Sequence, residues 1–95
     1  MSAKRTVIHI EDNTRGRDIF LDYSLVVTNR QKCDIVGGKR VYSLLILQIE
    51  RGVTTAYEFI YDVSRNRKKA VALLETLVYN SIMPNTASDV IADIL

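Results

Sequence analysis

The densest chemistry in the sequence is a run of cations, "SRNRKK", at residues 64–69. Arg65, Arg67, Lys68 and Lys69 crowd what the following residues mark as a helix start, where the backbone dipole is already positive. Three readings follow. The cations are solvated and tolerated. Or they answer an acidic face formed by Asp89 and Asp93 near the end of the chain. Or a helix N-terminus with four cations attracts phosphate or an acidic protein patch. No aromatic is interleaved in the run, so stacking of single-stranded bases has no local support. Asp89 and Asp93 stand four apart, where like charges on a helix repel, so a positive group is expected near them.

The remaining polar signals are weaker. Gly37-Gly38-Lys39-Arg40 lacks the spacing of a phosphate loop and precedes a strand-like segment, so it reads as a hairpin turn. His9 is a lone histidine in a short alternating segment and reads as a surface residue. Cys33 is the only cysteine, which excludes an internal disulfide; with a single histidine beside it there is no zinc set. It reads as a loop thiol of ordinary reactivity. Asp12, Asp18 and Asp22 match no calcium-loop spacing. No catalytic constellation, metal set or cofactor loop emerges.

The elements that must carry these residues follow from composition and period. Ninety-five residues suffice for one domain, 1–95, with 47% apolar and 25% charged residues, in the ordinary globular range. The net charge of +2 is too slight to indicate nucleic acid by itself. The N-terminal "MSAKRTVIHIEDN" lacks the apolar stretch of a secretory signal, and no run has the length of a membrane span, so a cytoplasmic, soluble chain is expected.

Residues 6–10 and 19–28 are rich in β-formers, with polar connectors at 11–18 and 29–39. "VYSLLILQIE" (41–50) is apolar on both alternations, as in a strand that is central in its sheet or has one face covered by something outside the sheet. With "RGV" as a tight turn and a strand at 54–62, it makes the most secure hairpin. After Asp62 the period changes from two to 3.6. Ser64 is the expected N-cap, and Ala70, Leu73, Leu74, Leu77 and Val78 form the apolar stripe. Asn80 can end this helix in a left-handed conformation. Pro84 prevents its continuation, and Asn85 or Thr86 can cap a second helix with Asp89 in its first turn. Val90, Ile91, Ile94 and Leu95 would be its apolar side. The expected fold is α+β: a four-stranded, mostly antiparallel sheet, a long helix at 65–80 on one face, and a short C-terminal helix at 86–94.

"VYSLLILQIE", "IYDVSRNRKKAVALLETLVYNSIMP" and "SDVIADIL" together resemble a small uncharacterised bacterial family, a domain of unknown function found mainly in clostridia-like Gram-positives. The Tyr42 strand, Asp62-Val63-Ser64, Asn80, Pro84 and the ending from Asp89 to Asp93 carry the resemblance. This sequence has "NTAS" where the family pattern often carries a His-Leu pair. The resemblance implies no activity, but it makes the tail aspartates part of a shared design.

The expected role is a non-enzymatic protein-interaction or adaptor module, without cofactor, contacting a protein partner or a second copy of itself. The alternative is a nucleic-acid-binding regulator using the cations of 65–69. Tyr57, Phe59 and Tyr61 share one alternation. If the sheet face opposite the helices exposes several aromatics, that face becomes the candidate interface.

Overall fold

The structure, a computed structural model, describes residues 4–12, 17–29 and 40–94. Its element order is β1 (Arg5–Asp12), β2 (Arg17–Asn29), β3 (Arg40–Glu50), β4 (Val53–Ser64), α1 (Arg67–Tyr79) and α2 (Pro84–Ile94). The four strands form one antiparallel sheet in sequence order, as expected, and each runs longer than its apolar alternation alone marks. Cys33 and the Gly37-Gly38-Lys39 turn lie outside the described residues. Arg40 opens β3.

The β3–β4 hairpin turns on Arg51 and Gly52, both at positive φ (54° and 76°). That pair is the mirror-image two-residue turn, whose twist matches the right-handed twist of the strands it joins. Near its other end β4 is irregular: the register shifts between Tyr42 and Leu44, and Asp62 sits at φ 53°. There the Asp62 N–H leaves the ladder and donates to the hydroxyl of fully buried Ser43 at 2.9 Å. The bulge lets β4 continue to Ser64.

That continuation moves the helix start. The expected cap, Ser64, still belongs to the strand, and its hydroxyl accepts from the Asn66 N–H at 3.0 Å. Asn66 is the N-cap: its side-chain oxygen accepts from the N–H groups of Lys68 and Lys69 at 2.9 and 3.3 Å. Arg65 therefore precedes α1. Ala70, Leu73, Leu74 and Leu77 are buried, with Val71 and Val78 half-buried beside them.

At the other end Asn80 is the C-cap with φ −94°, and Ser81, not Asn80, takes the left-handed conformation (φ 51°). The Ile82 N–H reaches back to the Leu77 carbonyl at 3.0 Å, the closure of a Schellman motif, and Ile82 packs against the core. Ordering by this closure outweighs the preference of Asn for positive φ. Pro84 then opens α2 directly, its fixed φ suiting the first helical position. Asn85 and Thr86 are inside the helix rather than capping it, and Asp89 falls beyond the first turn. The buried side of α2 is Pro84, Ala87 and Ile91; Ile94 is exposed.

Both helices pack on one face of the sheet. One hydrophobic cluster joins Leu21, Tyr23 and Leu25 of β2, Tyr42, Leu44 and Ile46 of β3, and the inner sides of α1 and α2. The Tyr23 ring is fully buried, and its hydroxyl donates to the Ile82 carbonyl at 2.8 Å, tying β2 to the α1–α2 connection. Loss of water from around it pushes its pKa up to about 12. Lys4 Nζ adds an outer tie from the start of β1 to Glu75 of α1 at 2.6 Å.

Candidate functional site

With period two along each strand, every side chain not turned to the helices turns to the opposite face. The registers align these residues into rows across the sheet. Val7, Asp22, Leu47 and Tyr57 form one row, and Arg5, Ser24, Leu45 and Phe59 the next. His9, Phe20 and Ile49 stand on one side of these rows, and Val26 and Ser43 on the other. β3 is thus apolar on both alternations for a reason the sequence left open: one side meets the helices, and the other is the centre of this second face.

Among the described residues no element of the chain packs across that face. Val7 is 49% exposed, Phe20 39%, Tyr57 69%, Phe59 45% and Tyr61 59%. Phe59 and Tyr61 hold their rings 6.4 Å apart in a tilted contact, and His9 stacks on Phe20 at 4.6 Å. Taking about 200 Å² for an aromatic side chain, these five residues present roughly 500 Å² of apolar surface. That is at the upper end for the largest apolar patch on a monomeric protein, roughly 300–600 Å².

Among the described residues, the charge at the middle of this face is paired. Asp22, almost fully buried at the middle of the face, is clamped by Arg5. Arg5 Nε donates to both carboxylate oxygens at 3.1 and 3.0 Å, and Nη2 donates to Oδ2 at 2.6 Å. The Ser24 hydroxyl donates to Oδ1 at 3.3 Å. The hydrogen bonds to Asp22, and then its charge, raise the Arg5 pKa above its ordinary value. His9 Nε2 lies 3.2 Å from Asp18 Oδ1 at the margin. The sequence weighed Asp22 only against a calcium spacing. Its partner lies seventeen residues away, and no local pattern signals a diagonal cross-strand pair.

The cations singled out in the sequence lie elsewhere, in the helix layer. Arg65, Arg67, Lys68 and Lys69 are exposed, as are Asp89 and Asp93. The end of α2 does reach the start of α1, since Ile94 and Lys69 line one shallow depression with Val63, Ser64 and Leu73. Among the described residues, no ion pair joins Asp89 or Asp93 to Arg65, Lys68 or Lys69. No described helix is long and apolar enough to cross a membrane.

Fold and face together define a class: a small two-layer α+β domain whose sheet carries both helices on one side and, among the described residues, exposed aromatics around a central ion pair on the other. Within that class the chain belongs to a family of unknown function, DUF6514, whose pattern matches residues 4–95. No curated protein and no solved structure matches it.

Proposed function

We propose that this chain is a non-enzymatic protein-interaction module that works through the open face of its sheet. The observation that carries this reading is the exposure on one sheet face of Val7, Phe20, Tyr57, Phe59 and Tyr61 around an internally paired Arg5–Asp22. Keeping such a surface in water forgoes a stabilisation that burial by a partner would supply, at about 25 cal/mol per Å². The buried carboxylate already has its counter-ion and hydrogen bonds, so covering it leaves no charge unmatched.

The nucleic-acid alternative has less support. Single-strand binders place stacking rings and backbone-tracking cations on one surface. Here the exposed rings of the sheet stand on the side opposite the cations of residues 65–69, and the exposed ring in the helix layer, Tyr79, is at the far end of α1 from them.

The test is side-chain oxidation footprinting in living cells, with Tyr79 as internal reference. Tyr79 is 89% exposed and lies on α1, away from the sheet face. An occupied face lowers the labelling of Tyr57 and Tyr61 relative to Tyr79 several-fold below the ratio their exposures dictate. Labelling in proportion to exposure overturns the reading.

A further inference from the structure

We infer that the occupant of the open face is a second copy of this chain, stacked face to face about a two-fold axis close to the strand direction. The inference rests on the interaction reading above and names its partner.

Area is the first argument. An interface of standard size buries about 800 Å² per partner, of which roughly 60% is apolar. The roughly 500 Å² of exposed apolar side chain found here is what one side of such an interface needs. Shape is the second. The face spans four strands, about 14 Å between the outer two at ~4.8 Å spacing. A single helix, about 10 Å across, would leave part of it wet. A sheet of the same hand of twist covers it whole, since two such sheets stack about 10 Å apart with strands inclined by about 30°. A second copy supplies that twist without further adjustment. Charge is the third: with Arg5 held by Asp22, the centres of two identical faces meet without like-charge repulsion.

The distribution of bulk selects the axis. Tall rings (Tyr57, Phe59, Tyr61) stand on β4 at one edge, and the low Val7 stands on β1 at the other. A two-fold axis along the strands exchanges the edges and keeps the rows. Tyr57 then faces the partner's Val7, and Phe59 faces the partner's Arg5, whose side chain is 65% exposed beyond Asp22 and available to a ring face. An axis across the strands would instead set ring against ring at one edge and leave a gap at the other.

The experiment uses the full chain with Cys33→Ser, so that introduced cysteines are the only thiols. Sedimentation equilibrium from about 1 to 100 μM, a range set by ordinary micromolar affinity, is expected to show a monomer–dimer transition. Tyr57→Glu should weaken it at least tenfold with unchanged circular dichroism. Val7→Cys and Tyr57→Cys chains of different mass, mixed and treated with a short bis-maleimide, should give the mixed cross-linked dimer. Neither chain alone should cross-link, because its two thiols would stand on opposite edges. A monomer at every concentration, a dimer indifferent to Tyr57→Glu, or a Tyr57→Cys chain that cross-links to itself overturns the inference. A monomer in solution whose Tyr57 and Tyr61 are nevertheless protected in cells removes the second copy and leaves the interaction reading standing. A monomer without that protection removes both.

Discussion

Tyr23→Phe removes one oxygen and no packing volume, which makes it a sharp probe of how the helix layer is held. The ring is fully buried, and its hydroxyl is 2.8 Å from the Ile82 carbonyl, in the connection that carries left-handed Ser81 and leads into α2. Phenylalanine keeps the packing but leaves a carbonyl at the edge of the core without its donor. The cost of such an orphan is about 1–3 kcal/mol. In a domain of this size each 1 kcal/mol moves Tm by roughly 4–8 °C, so a fall of roughly 4–24 °C is expected by calorimetry. The alkaline limb supplies an independent readout. The folded-state pKa is raised from 10.0 to about 12 by desolvation. The folded chain therefore holds the phenolic proton in a range where the unfolded chain has released it. The associated stability is fully present below pH 10 and is lost as pH rises toward 12. At 1.36 kcal/mol per pKa unit this amounts to at most about 3 kcal/mol. Urea melts at pH 9, 10, 11 and 12 should show wild type losing stability more steeply than Tyr23→Phe. An unchanged Tm in the variant, or parallel alkaline slopes, would refute the argument that this hydroxyl is desolvated and bonded across the core.

Four further outcomes follow from the same geometry. Ser43→Ala, which strips the Asp62 N–H of its acceptor, should cost about 1–3 kcal/mol in urea unfolding. Asp62→Gly, at φ 53°, should be neutral or stabilising by up to about 1 kcal/mol; marked destabilisation would show that the Asp62 side chain has a role of its own. Asp93→Asn relieves repulsion from Asp89 and from the negative helix end, so Tm should rise by roughly 1–3 °C; a fall that high salt narrows would mean that the tail and the basic helix start neutralise each other after all. Labelled random DNA and RNA should show no tight binding by anisotropy at about 50 mM salt. Micromolar binding that weakens steeply toward 200 mM and disappears with charge reversal at Arg67 and Lys68 would restore the nucleic-acid reading.

Local pattern in the chain is enough to read the order and type of each element among the described residues. The β-forming run at 41–50, the short "RGV" turn and the alternation in 54–62 together read as a hairpin. The stripe of Ala70, Leu73, Leu74 and Leu77 can bury one side only as a helix. These patterns are local, and each residue's neighbours suffice to read them. Helix boundaries were legible to within about two residues, a scatter that is usual for element ends. What shifted the start of α1 was non-local. The Asp62 bulge rests on Ser43, nineteen residues earlier, and it carries β4 past the expected cap to Asn66. The Ile82–Leu77 closure placed the left-handed residue at Ser81. Tertiary structure alone decided which face became the candidate site. β3 is apolar on both sides, and nothing within it says which side the helices will cover. That depends on where α1 and α2 meet β2 and β3, and on a diagonal ion pair between Arg5 and Asp22 on neighbouring strands. Both are set by contacts distant in sequence, to which a local period is blind.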